Sequence, residues 1–258
     1  MQYKVERLER AYFALRVVFS IVVVGLGVAM VTALGKTGGS SSAAMAWVFV
    51  FYGLMILGFF WFQKVYLVAY LKGNGVCVSE RQFPEVFAAY KAMAESLGLK
   101  QLPKLFLIQQ GGALNAFAVR FSTKNYIAVY SDVFSVMTTD FDALRFIIGH
   151  ELGHVKRRHM SKRFWTFPSA LVPFLGSAYS RRCEYTCDSI GSSLAEAGAR
   201  RGLVLLAAGK ELYGKVDVED YIARAQDNLS FAVALVGIFL SHPYLPRRIE
   251  HLRTAGPA

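Results

Sequence analysis

His150 and His154 stand four residues apart in the stretch FIIGHELGHVKRRH (residues 146–159), with Glu151 directly after the first. On a helix that spacing sets both imidazoles on one face, close enough to grip a single ion. Imidazole nitrogen suits zinc at about 2.0–2.1 Å, and zinc lowers the pKa of a bound water to about 7. A carboxylate beside the site, here Glu151, then takes the water's proton as it attacks a carbonyl. General-base help of this kind is worth about 10²–10⁴ in rate. The chain has only five histidines, so two of them in the pattern H-E-x-x-H make a specific signal.

A catalytic zinc takes three protein ligands and keeps one position open. Downstream, Glu184, Asp188, Glu196 and His242 are candidates for the third. RRCEYTCD (residues 181–188) places Glu184 and Asp188 four apart on one helix face. Glu184 can then ligate while Asp188 accepts the outer N–H of a ligating histidine, which fixes its tautomer and ring angle. A site closed by a fourth protein ligand is the rival reading: a non-catalytic membrane adaptor with structural zinc, in which Glu151 has no task. Cys183 and Cys187 lie at i, i+4 on the same predicted helix, where a disulfide needs distorted geometry. With Cys77 they are expected to be free thiols, the two on the helix buried.

The elements that must hold these residues are mostly helical. TTDFDALRFIIGHELGHVKRRH (residues 138–159) predicts a helix with Thr139 or Asp140 as N-cap, acids in its first turn and Lys156, Arg157 and Arg158 in its last. Before it, residues 79–104 predict an amphipathic helix that starts near Ser79 or Glu80 and ends near Gly98. Residues 104–109 and 125–131 have strand composition, and NAFAVRF (residues 115–121) is a candidate third strand. After the metal helix, residues 164–179 form an uncharged run broken by Pro168 and Pro173, a docked or re-entrant segment or a flap. Helices are expected over 181–199 and 201–213. A further short apolar helix within 228–243 is expected to be buried, and a final short helix closes the chain. The fold class is α+β: a mostly helical zincin-type catalytic domain with a small β-sheet.

Composition adds a membrane. The chain is 54% hydrophobic and 18% charged, greasier than an ordinary soluble domain. Residues 17–34 carry no charge and as a helix reach about 27 Å, near the thickness of the hydrocarbon layer. Residues 45–62 form a second such run, joined to the first by a Gly/Ser-rich connector. They read as a transmembrane hairpin, so residues 1–72 are the anchor and 73–258 the metallopeptidase domain. Lys4, Arg7, Arg10 and Arg16 precede the first span, Lys64 and Lys72 follow the second, and the connector holds only Lys36. The positive-inside bias puts both flanks and the catalytic domain in the cytoplasm. The net charge of +11 suits a domain lying on anionic lipid. No basic stripe interleaved with aromatics points to nucleic acid.

HELGH, then EYTCD, then SHPYLPRRIEHL resemble the membrane-bound zinc metallopeptidases of the HtpX heat-shock protease and CAAX prenyl protease family, in that order and over residues 81–252. GGALNAFAVRF and IAVYSDVF also resemble that family's edge-strand region. The resemblance implies a gluzincin-like domain with one zinc held by His150, His154 and Glu184, and with Glu151 as base. It implies that Asn115, Ala116 and Phe117 belong to a strand edge that pairs with substrate backbone. It implies that His242 and Arg248 face the cleft and stabilise the tetrahedral intermediate, and that polypeptides are the substrates. His159 and His251 have no role in it and are expected at the surface. Relatives of this kind carry two further spans between metal helix and third ligand. This chain has only the Pro-interrupted run there, which suggests a simpler protease tethered to the cytoplasmic face of a bacterial-type inner membrane by its N-terminal hairpin.

Overall fold

The computed structural model describes residues 3–36, 39–109 and 116–255. Two long helices come first, α1 (Arg7–Lys36) and α2 (Ser40–Asn74). Both are long and apolar enough to cross a membrane, and almost nothing in their apolar stretches is buried by protein. Large side chains such as Ile21, Leu26, Trp47, Leu54 and Phe59 face outward along them. At 1.5 Å per residue the helices reach roughly 45–52 Å, more than a bilayer's hydrocarbon needs. Parts of both helices pack into the rest of the fold: Glu9, Arg16 and Ser20 of α1 are buried, as are Val68 and Leu71 of α2.

A four-stranded sheet follows, made of β1 (Val76–Cys77), β2 (Lys104–Ile108), β3 (Ala116–Phe121) and β4 (Lys124–Tyr130), in the order β1-β2-β4-β3. β2 runs parallel to β4, and the other two pairs are antiparallel. Successive residues point to opposite faces, and both faces are covered. Leu105, Ile127 and Val129 join the main core, while Phe106, Tyr126 and Ala128 pack with Val68 and Leu71 of α2. The end of the second apolar helix thus forms a layer of the fold. Double coverage also explains why β4 reads as a continuous apolar run.

The remaining helices are α3 (Pro84–Ser96), α4 (Ser131–Phe134), α5 (Phe141–Lys156), α6 (His159–Trp165), α7 (Leu175–Leu194), α8 (Glu196–Ala208), α9 (Val218–Asp227), α10 (Phe231–Phe239) and α11 (Leu245–Ala255). α3 begins later than Ser79 or Glu80. Ser79 and Gln82 close a turn, Phe83 takes positive φ, and Pro84 supplies a first-turn position that needs no N–H. α3 ends as expected before Gly98 at φ +63°. The two-residue β1 was too short to read in the sequence. α7 starts at Leu175 rather than 181, and α8 covers 196–208 rather than 201–213.

Two apolar segments depart from a simple core. Residues 167–171 form a 3₁₀ turn that docks on α1: Ser169 N–H donates to Ser20 Oγ, and Arg16 donates to Ser169 Oγ and the Thr166 carbonyl. α10 is not the buried helix its composition suggested. None of its residues is buried, and Phe231 is 83% exposed.

Candidate metal and catalytic site

α5 is built to deliver its histidines. Asp140 caps it by accepting the N–H of Ala143, and Arg201 holds the same carboxylate. Glycines let α7 approach closely. A Cβ at Gly153 would lie 3.2 Å from Cys187, and one at Gly191 would lie 2.9 Å from the Phe146 carbonyl oxygen. This close crossing brings Glu184 of α7 against the two α5 histidines.

His150 Nε2 and His154 Nε2 are 3.2 Å apart; Glu184 Oε2 is 3.3 Å from the first and Glu184 Oε1 is 3.4 Å from the second. Ligands at 2.0–2.1 Å on a tetrahedral zinc are separated by about 3.3 Å. The spacing of the two imidazole nitrogens, and of each from one Glu184 oxygen, matches the donor spacing of such a shell. Glu184 Oε1 is buried with no hydrogen-bond partner, the condition of an atom that needs a cation. Electrostatics agree. Burial opposes charge on His150, but the hydrogen bonds and charges of Asp188 and Glu184 outweigh it and push its pKa up to about 10. Glu184, despite its burial, is held well below the usual carboxylate range by His150, His154 and Arg248. The pocket stabilises positive charge.

Cys187 also lies within reach of both histidines. Burial, reinforced by the negative charge of Glu184, raises its thiol well above the ordinary value. The sulfur packs under Gly153.

Each metal-facing histidine is held from behind. His150 Nδ1–H donates to Asp188 Oδ1 at 2.9 Å. Arg248 in turn grips Asp188 with two bonds, Nη2 to Oδ1 at 2.6 Å and Nε to Oδ2 at 2.8 Å. Its Nη1 is 3.4 Å from Glu184 Oε2. His154 is backed by residues that the sequence did not point to. Its Nδ1 is 3.0 Å from His159 Nδ1, and His159 Nε2 is 3.2 Å from Glu9 Oε1. One donor order satisfies the whole chain: His154 Nδ1–H to His159 Nδ1, then His159 Nε2–H to Glu9. His154 Nε2 is left as a lone pair turned toward Glu184. Burial is the main reason that the His159 pKa falls to about 4, keeping the ring neutral for this relay. Arg157 and Lys162 also converge on Glu9 Oε1, at 3.0 and 3.4 Å. His159 is thus fully buried rather than at the surface. His251 is half-buried, its ring 4.4 Å from Tyr185, and takes no part in the cleft. Glu196 opens α8 and stays outside the site.

The cavity over this group, about 230 Å³, is lined by His150, Glu151, His154, Glu184, His242 and Arg248, with Ala116, Phe117 and Ala118 along one wall. Those three belong to β3, the edge strand of the sheet. Asn115 lies outside the described residues. His242 is 64% exposed at the rim, its Nε2 3.6 Å from Glu184 Oε1. The arrangement can bind a divalent ion, place a carboxylate beside it, and lay an extended chain along a strand edge.

Known proteins point the same way. The model of peptidase family M48 matches residues 80–168 and 164–255. A "Protease HtpX homolog" of Syntrophobacter fumaroxidans is 30% identical over 125 residues, 48% of this chain and 42% of that protein. "Protease HtpX" of Pseudomonas syringae pv. syringae is 35% identical over 94 residues, 35% of this chain and 32% of that protein. Each match thus spans less than half the length of the curated relative. No solved structure matches.

Proposed function

The chain belongs to peptidase family M48, and from that premise we propose that it is a membrane-anchored zinc endopeptidase. The observation that carries this reading is the convergence of His150 Nε2, His154 Nε2 and the two Glu184 carboxylate oxygens, with contacts of 3.2, 3.3 and 3.4 Å and one of those oxygens without a hydrogen-bond partner. His150, His154 and Glu184 would hold the ion, which supplies Lewis acidity and lowers the pKa of a bound water to about 7. Glu151, in the same cavity wall, takes a proton from the attacking water and returns it to the leaving amine. The edge of β3 holds substrate backbone beside it. His242 at the rim donates toward the developing oxyanion, where one such donor is worth about 2.7–4 kcal/mol. Arg248 has two of its N–H groups on Asp188. Its part is to fix Asp188 and Glu184 and to lend positive charge from behind them.

The substrates we infer are unfolded segments or exposed tails of membrane and misfolded proteins, reached from the cytoplasmic face in a quality-control role. Replacing Glu151 with Gln tests the mechanism. Zinc should stay bound at one per chain while cleavage of casein by the purified full chain is lost. Full casein cleavage by that variant would remove Glu151 as the base.

A further inference from the structure

The exposed apolar helix α10 needs a partner, and several contacts say where it sits. Phe239, at its C-terminal end, meets Phe174 with ring centroids 4.9 Å apart. Phe174 ends the segment that leaves α6, and this segment lies against both long apolar helices. Phe167 packs on Phe60 at 4.8 Å, and Lys64 lies over the Phe164 ring. Trp165 and Leu171 of the same segment are each 76% exposed. Exposed apolar side chains therefore occur on α1 and α2, on residues 164–174 packed against them, and on α10.

Depth follows from α1. Tyr12 of α1 lines the same cavity as Ala234 and Gly237 of α10. Tyr12 precedes the uncharged run at Val17 by five residues, about 7.5 Å along the helix axis. A bilayer's headgroup layer is about 5–7 Å thick on each side. α10 thus lies level with the headgroups when α1 spans the membrane.

Charge completes the match. Arg181, Arg182 and Arg247 surround that cavity beside α10, with Tyr185 and Tyr244. Arg181 caps the helix by donating to the carbonyls of Ile238 and Leu240. α9 meets α10 at 105° and carries Glu219, Asp220, Arg224 and Asp227, so the pair does not make a single span. An exposed apolar helix with arginines and tyrosines clustered beside it offers both the apolar and the cationic contacts that an anionic membrane surface takes up.

We propose that α10 is an interfacial helix that lies in the headgroup layer of an anionic bilayer and gives the catalytic domain a membrane contact separate from the two spans. The inference rests on the reading of α1 and α2 as spans. The bilayer contact holds the mouth of the cleft, where His242 follows α10 by three residues, against the lipid surface from which substrate tails emerge.

The test uses the full chain with Cys77→Ser, reconstituted in nanodiscs containing phosphatidylglycerol. One cysteine is introduced at Val236 or at Leu54 and labelled with an environment-sensitive fluorophore. The Val236 probe should emit to the blue of its value in water and be quenched more by headgroup-region nitroxide lipids than by mid-chain ones. The Leu54 probe should show the opposite depth preference. Exchanging phosphatidylglycerol for phosphatidylcholine should reduce quenching at Val236 and leave Leu54 unchanged. Water-like emission at Val236 with normal quenching at Leu54 overturns the proposal alone; water-like emission at both overturns the spans as well. Protection of Val236 that scales with protein-to-lipid ratio assigns the face to a second copy and overturns it too.

Discussion

Glu9 sits in the first turn of the N-terminal apolar helix, yet it ends a chain of contacts that begins at His154, a proposed metal ligand. If the chain orients His154, then cutting it at His159 should weaken zinc binding while leaving the other two ligands in place. Loss of a partner behind a metal ligand typically lowers affinity 10- to 100-fold, about 1.4–2.7 kcal/mol. The structure ranks the variants within that range. Glu9→Gln keeps an oxygen that can accept from His159 Nε2 at its 3.2 Å position but turns a charge-assisted bond into a neutral one of about half the strength. It should sit at the low end. Glu9→Ala leaves the N–H of a fully buried ring without a partner, a cost of about 1–3 kcal/mol, and frees the ring to turn. His159→Phe removes the acceptor of His154 Nδ1 outright and should approach 100-fold. The double variant should lose no more than His159→Phe alone, because both changes cut one path. Zinc competition against a chromophoric chelator measures the affinities, and the d–d spectrum of the cobalt-substituted protein reports the ligand field directly. Folded His159→Phe protein with wild-type zinc affinity and an unchanged cobalt spectrum would refute the reasoning.

Two further outcomes follow from the packing around the site. Gly191→Ala places a methyl 2.9 Å from the Phe146 carbonyl oxygen and 3.1 Å from His150 N, so it should cost about 1–3 kcal/mol and lower zinc affinity by shifting α7. Gly176→Ala, on the same helix with nothing within 4 Å, should be neutral or stabilising by up to about 1 kcal/mol; thermal melts of the pair test this. Asp140 carries the acid-dependent part of the α5 cap. Hydrogen bonds from Arg201 and then Ala143 hold its carboxylate below the ordinary 3.8, so its stabilisation is full above that value and is lost as pH falls through the lower folded one. Asp140→Ala should therefore cost about 1 kcal/mol near neutrality, and the difference from wild type should shrink in denaturation curves taken below pH 3.8.

What the sequence made legible was local. The metal helix, its Asp140 cap, the three sheet strands and the pairing of Glu184 with Asp188 all depend on neighbours within a few positions, and periodicity records those. His159 shows where that stops. Its place is fixed by Glu9, 150 residues away, and no spacing rule connects them. A signal did exist: a lone acid among Arg7, Arg10 and Arg16 at the head of an apolar helix, and a further histidine just past the H-E-x-x-H pattern. α10 failed for a different reason. Hydrophobicity says that a helix avoids water, and it is silent on whether protein or lipid provides the shelter. α3 was placed too early because Ser79 looks like a cap, whereas Pro84 five residues later sets the real start.

The first apolar helix and the candidate site are therefore not separable parts. Residues 4 and 6, ahead of α1, are tied to α7 through Ser189 and Thr186. Glu9 reaches the metal helix through His159, and Arg16 and Ser20 hold the segment that leads from α6 into α7. α7 carries Glu184 and Asp188. The same first helix thus positions the elements on both sides of the site. A short Pro-interrupted connector is enough between α6 and α7 because α1 fixes its path from outside. With α1 as a span and His154 and Glu184 as ligands, as proposed, tilting α1 moves Glu9 and Ser20 together, so bilayer thickness should bear directly on how well the two share one ion.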